Sequence, residues 1–314
     1  MVRAWYPPAV RTAADRLRYY ATHFDTVEVD STFYGLPIPD TARLWADRTP
    51  AGFVFHIKAF AMLTRHAVRP EQLPLPLRTA YNLELDRQGR IIHPSSDLRR
   101  QAFAFFSDAL EPLRAESKMG MVLLQFPPYF VANEANREYI AFCTSLLAPD
   151  RVAVEFRHAS WVEQEELETT LGLLCSLGAS YVSVDEPRLQ GPGVLPPIAA
   201  ATADVAYVRL HGRNSATWNA RVDSAAKRFN YLYSPEELAE WVEPVRQLQE
   251  QTTTTYVMFN NCYGDYAPRN ARQMMSLLDA AAPSCGPSDG DPPGAAGGTP
   301  GGVSTGEAGM RPEE

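Results

Sequence analysis

The chain has 314 residues, 45% of them hydrophobic and 21% charged, with a formal net charge of −8. That is ordinary globular composition. No apolar run approaches the roughly 20 residues needed to cross a bilayer, and the opening MVRAWYPPAV has no signal-peptide core, so a cytoplasmic protein with no membrane partner is expected. The acidic balance argues against a broad nucleic-acid surface. Part of that acidity belongs to the tail, where residues 283–314 carry five acidic side chains against Arg311, a net −4 that leaves −4 for the body.

Along the chain, short runs rich in β-branched and aromatic residues predict strands at 26–33 (TVEVDSTF), 53–60 (FVFHIKAF), 121–127 (MVLLQFP), 151–158 (RVAVEFRH), 179–186 (ASYVSVDE), 205–212 (VAYVRLHG) and 255–261 (TYVMFNN). Helical patterns fall between them at 97–116, 134–147 and 163–177, the last with Gly178 as C-cap. Ser234-Pro235-Glu236-Glu237 opens another helix: Ser234 suits the N-cap, Pro235 the first turn, and Glu237 closes a capping box. The stretch 65–100 is an excursion, with YNLELDRQGRIIHPS reading as a hairpin turning at Gln88 and Gly89. Residues 283–314 are Gly/Pro-rich without a period and are expected to be disordered.

Strand–helix alternation implies a parallel sheet with crossover helices. A doubly wound sheet would carry a glycine-rich phosphate loop, and the chain has neither G-x-G-x-x-G nor a P-loop. A TIM (β/α)8-type barrel instead gathers functional side chains at the C-terminal ends of its strands. One domain over 1–282 is the expected organisation, since such barrels run to about 250 residues as one unit.

Residues two apart on a strand share a face. Opposite the aliphatic faces stand Glu28 and Asp30, His56 and Lys58, Gln125, Glu155 and Arg157, Ser183 and Asp185, and Arg209 and His211, while Asn260 and Asn261 end the last strand. In a barrel these polar faces point inward and converge on one mouth. Structural ion pairs such as Glu28–Lys58 or Glu155–Arg209 are the competing reading for any one residue. For the whole set a functional pocket is favoured, because well-packed apolar residues would stabilise a core as well or better.

The segments WYPP (5–8), FDTVEVDSTFYGLP (24–37), FVFHIKA (53–59), LLQFPP (123–128), VAVEFRHASW (152–161), YVRLHGR (207–213) and YVMFNNCYGDYAPRNA (256–271) resemble the YecE-like family, domain of unknown function 72. The resemblance spans residue 5 to about 280. It implies a TIM barrel and supplies no established reaction or cofactor. Members of that family usually open with a strand resembling G-T-S-G-W ahead of the equivalent of Trp5. This chain starts after it, so the barrel is expected to lack its first strand and to gape between 26–33 and 255–261, with a misplaced start codon as the favoured explanation.

Three functions compete. The first is an enzyme or binder for a small anionic or polyhydroxylated ligand. Lys58, Arg157 and Arg209, with Asp30, Gln125, Arg213, Asn260 and Asn261, would hold the ligand. Glu28, Glu155 or Asp185 would act as general acid and base, with His211 titrating near neutrality. The stretch 212–233, with Arg213, Asn214, Trp218 and Arg228, is long enough for a lid. A metal-dependent variant would use Glu28, Glu155, Asp185 and His211, but three neighbouring cations would repel a metal, so no metal is assigned. The second is a nucleic-acid binder or nuclease, disfavoured by the acidic body. The third is a non-catalytic ligand-binding or scaffold barrel. The cysteines Cys143, Cys175, Cys262 and Cys285 lack metal-like or redox-like spacing, and Cys262 has no base beside it in sequence to make it a nucleophile.

Overall fold

A computed structural model describes residues 5–281 apart from 190, 219 and 221–224; the stretch expected to be disordered, 283–314, lies outside the described residues. The strands are β1 (Thr26–Val29), β2 (Val54–Lys58), β3 (Met119–Gln125), β4 (Arg151–Glu155), β5 (Ser180–Asp185), β6 (Val205–Leu210) and β7 (Thr254–Phe259). Each pairs in parallel with the next, giving one seven-stranded sheet in chain order. Among the described residues no ladder joins β7 back to β1. The fold is therefore an α/β, nearly closed parallel barrel, an incomplete TIM barrel with one open seam. No helix among the described residues is long and apolar enough to cross a membrane.

Every expected apolar run forms a strand, but the strands stop earlier than the runs. β1 ends at Val29 because Ser31–Phe33 coils into a short 3-10 turn. The Thr32 hydroxyl pins that turn by hydrogen bonds to the carbonyls of Val29 (3.0 Å) and Lys58 (2.6 Å). The helix expected at 97–116 is broken at Leu110 into Ser96–Ala109 and Glu111–Ala115, where Pro112 has no amide to continue the ladder. The helix expected from 163 begins at Leu167 and ends on Gly178, whose φ of 61° is the left-handed cap glycine favours. The capping box at Ser234 forms, with Glu237 N donating to Ser234 Oγ (3.3 Å) and Ser234 N donating to the Glu237 carboxylate (2.9 Å).

Residues paired in register share a face, so the ladders decide which side chains enter the lumen. Ile57, Val122 and Val154 point outward into a core with Phe103, Phe106, Ile140 and Leu174. Ala206, Val208 and Leu210 of β6 point outward into a second cluster with Leu238, Trp241 and Val245. The lower lumen is aromatic: the fully buried His56 ring lies 4.2 Å from Tyr256 and 5.1 Å from Tyr207. His56 Nδ1 accepts a hydrogen bond from Met121 N (3.1 Å), where the β2–β3 register shifts. Gly120 permits that approach, since a Cβ there would sit 2.6 Å from Val54 Cγ1 and 2.8 Å from the His56 ring. Burial pushes the His56 imidazole down to about 3.

Candidate active-site mouth

The upper lumen is built on Glu155, the last residue of β4 and fully buried. Its carboxylate accepts from Gln125 Nε2 (2.7 Å) on β3 and from Arg157 Nε (2.6 Å). It accepts as well from Arg209 Nη1 and from His211 Nε2 (3.2 Å). Burial opposes its ionisation, but Arg157, Arg209 and His211 outweigh that and hold the carboxyl well below the usual range. With both oxygens so engaged, Glu155 is an anchor for cations rather than a base.

Arg209, itself fully buried, reaches a second carboxylate, Glu28 on β1, through Nε (3.0 Å) and Nη2. The Tyr207 hydroxyl also donates to Glu28 (2.9 Å). Lys58 pairs not with Glu28 but with Asp30 (3.3 Å) at the rim, and lies 4.8 Å from the centre of the Phe33 ring.

His211 is neutral. Asn260 Nδ2 donates to its Nδ1 (3.0 Å), which leaves the ring proton on Nε2, facing Glu155. Burial, with Arg157 beside it, pushes the imidazole down to about 3, so the expected titration near neutrality is not found. The group near neutrality is Glu186, which burial pushes up to about 7 against the pull of Arg157. Its carboxylate accepts from Arg157 Nη1 (2.7 Å) and from Leu195 N (3.1 Å).

Asp185 does not join this mouth. In β5 it is Val182 and Val184 that pair in register with the inward-facing Tyr207 and Arg209, while Asp185 pairs with the outward-facing Leu210. The buried Asp185 carboxylate accepts from Arg213 Nε (2.9 Å) and Nη2 (3.0 Å), Tyr233 OH (2.7 Å) and Trp241 Nε1 (3.1 Å). Arg213 also bonds Glu240 (2.8 Å), so its guanidinium is committed to structure and not offered to a ligand. Asn261 likewise turns away from His211, donating to Tyr231 O (2.9 Å) and Asn270 Oδ1 (2.8 Å). Together the Asp185–Arg213 contact at one end and the Asn261–Tyr231 and Asn270–Tyr233 contacts at the other clamp the stretch 212–233. Of the residues expected at the mouth, Glu28, Asp30, Lys58, Gln125, Glu155, Arg157, Arg209, His211 and Asn260 are gathered there. Asp185, Arg213 and Asn261 brace it from outside the lumen.

Above Arg157 lies a cavity of about 190 Å³, lined among others by His66, Gln125, Arg157, Trp218, Arg228 and Phe229. The Arg157 guanidinium sits 5.5 Å from the Trp218 ring centre, and Phe229 lies 5.8 Å from the His211 ring. Burial, with Lys58 and Arg157 on either hand, pushes His66 down to about 4. His66, Glu186 and Phe229 were not expected at the site. His66 lies in the excursion after β2, and Glu186 shared the face assigned to the aliphatic residues of β5. Cys262 is exposed, and burial of the thiol together with Asp30 raises its pKa, which does not favour a nucleophile. Among the described residues no three His, Cys, Asp or Glu side chains are grouped so as to hold a metal ion.

The chain is 32% identical over 280 residues to the UPF0759 protein YunF of Bacillus subtilis (strain 168), covering 87% of this chain and 90% of that protein. It is 24% identical over 297 residues to the UPF0759 protein YecE of Escherichia coli (strain K12), covering 90% and 92%. Among solved structures it is similar to a DUF72 family protein (TM1631) from Thermotoga maritima MSB8, with a TM-score of 0.67 and 31% identity over 87% of this chain and 92% of that one. It is also similar to a DUF72 family protein (EF0366) from Enterococcus faecalis V583, with a TM-score of 0.70 and 26% identity over 84% and 88%. The family model described as "Protein of unknown function DUF72" matches residues 1–294. A barrel whose every strand lies within that match, and which superposes on two solved members, belongs to the DUF72 family.

Proposed function

We propose that the mouth of this barrel binds a small anionic ligand, with hydroxyl-bearing anions included in the class. One observation carries the reading. Among the described residues the cavity is lined by two guanidinium groups, Arg157 and Arg228, and by no carboxylate, although the carboxyls of Glu28, Glu155 and Glu186 bond the two arginines of the lumen. Those carboxyls face inward, tied to Arg209, Arg157, Gln125 and Leu195 N, so their donors shield the cavity from negative charge. Arg228 donates only to Ala220 O (3.3 Å) and makes no ion pair among the described residues. The volume lies below the roughly 300–1,000 Å³ of drug-sized ligand sites, which suits a small molecule. Phe126, Trp218 and Phe229 offer apolar faces to its body, and Gln125 Oε1 can accept from a hydroxyl.

The reading is tested by thermal unfolding in sulfate against chloride at matched ionic strength. Sulfate should raise Tm in proportion to the logarithm of its concentration once that exceeds Kd, through a mass-action shift. Arg228→Ala, which removes a cation paired with no carboxylate among the described residues, should weaken sulfate binding by about tenfold, the worth of one charge-assisted contact. Equal response of both proteins, or no response beyond that of chloride, would overturn it.

A further inference from the structure

We propose that Glu186 takes up a proton when an anion enters the cavity, with Arg157 as the group shared between them. The proposal deepens the anion-binding reading and rests on it. Among the described residues Arg157 is the one cation that both lines the cavity and holds the lumen carboxylates: Nε bonds Glu155 (2.6 Å) and Nη1 bonds Glu186 (2.7 Å). Nη2 lies 3.1 Å from His211 Nε2, which carries the ring proton directed at Glu155 and accepts nothing, and 3.4 Å from Nδ1, which already accepts from Asn260, so at least one Nη2 hydrogen is left for a ligand.

Charge balance points the same way. Three lumen carboxyls, Glu28, Glu155 and Glu186, meet two guanidinium groups, Arg157 and Arg209. Arg209 is fully committed to Glu28 and Glu155, so Glu186 has only a share of Arg157. Around Glu186 stand Glu155 from β4, Tyr181 and Asp185 from β5, Arg157 beyond β4, and the Leu195 amide from the stretch between β5 and β6. Only one of these neighbouring side chains, Arg157, favours the Glu186 anion. A bound anion drawing on Arg157 adds negative charge on its far side and weakens that support. Protonating the buried carboxylate, 1% exposed, relieves the repulsion at the least cost. The two histidines of the mouth, Glu155 and Tyr181 do not confuse the linkage between pH 6 and 9. His66 and His211 are pushed down to about 4 and about 3, Glu155 is held well below its usual range, and burial raises Tyr181.

Sulfate is the probe, since its charge is constant over this range. Calorimetric titration of the whole chain at pH 8, in two buffers of different ionisation enthalpy, should show uptake of about half to one proton per sulfate bound. Sulfate affinity should fall several-fold from pH 7 to pH 9, bounded by about tenfold per pH unit for one linked proton. In Glu186→Gln the affinity should be level over that range and proton uptake should vanish. Sulfate binding by the unmodified chain with no proton uptake overturns this inference and leaves the anion site standing, a result that does not depend on whether the variant folds. Absence of sulfate binding at every pH removes the site and the linkage together.

Discussion

Arg209 on β6 and Glu28 on β1 are joined by a 3.0 Å bond from Nε although their strands are not neighbours in the sheet. The same guanidinium holds Glu155, so one buried cation braces three strands across the lumen. Arg209→Met would strand Glu28 and leave Glu155 with Arg157 as its remaining guanidinium partner among the described residues. Breaking a buried pair in this way costs about 3–5 kcal/mol, and urea unfolding should show a loss of that order at pH 7. At pH 5 the deficit relative to the unmodified protein should be smaller, because the stranded carboxyl can then be protonated. A variant as stable as the parent at both pH values would mean that the brace is dispensable.

Asp185 should matter to stability and little to sulfate. Four donors converge on its buried carboxylate. Asp185→Asn keeps the shape but turns an acceptor into a donor facing donors, at a cost of about 1–3 kcal/mol in unfolding free energy. Sulfate affinity of the folded variant should stay within about threefold of the parent, less than the tenfold of one lost charged contact. Full stability with lost sulfate binding would return Asp185 to the ligand.

At Gly120 the available space decides the outcome. A methyl group there meets the half-buried Val54 and the fully buried His56 well inside contact distance. Gly120→Ala is expected to cost about 1–3 kcal/mol through overpacking, read as a lowered denaturation midpoint at unchanged slope. Unaltered stability would show that the β2–β3 shift can absorb a methyl.

Acid should loosen the fold before it reaches ordinary carboxylate pKa values. His56, His66 and His211 are held neutral, at about 3, about 4 and about 3, against 6.5 for a free imidazole. A lowered folded pKa means that the unfolded chain binds protons first, so their contribution is present above pH 6.5 and lost as pH falls toward those values. Glu186, at about 7, works in the opposite sense, its contribution being lost as pH rises from 4.5 through 7. Glu28, which burial raises against the pull of Arg209, works in the same sense as Glu186, so three imidazoles stand against two carboxyls and unfolding free energy should fall by about 2–3 kcal/mol between pH 6.5 and 4.5. A level denaturation profile over that interval would contradict the buried, neutral state of these imidazoles.

The strands and their order were legible because buried parallel strands concentrate β-branched and aromatic residues in short runs. The mouth was mostly legible too, since Glu28, Glu155, Arg157, Arg209 and His211 are charged or titratable residues in otherwise apolar strands. β5 misled for a physical reason. All six of its residues are buried, so period-two alternation separates two faces without saying which is inward. Polarity then pointed the wrong way, because Val182 and Val184 fill the lumen while outward Ser183 and Asp185 find donors in Ala200, Arg213, Tyr233 and Trp241. Those partners lie 17 to 56 residues away, beyond any local pattern. Glu186, one step past the strand, inherited the wrong face for the same reason.

Among the described residues no ladder closes the boundary between β1 and β7, which makes the described barrel mechanically a split ring and not a hoop. A hoop shares deformation around its circumference through backbone ladders; a split ring yields at the break, and here side chains reach across it, Arg209 to Glu28 and His56 to Tyr256. Amide protons along β1 and β7 should therefore be the first of the sheet to exchange with solvent. Each such opening admits water sideways, at the level of Glu28, giving the lumen a second entrance that the cavity at the top does not provide.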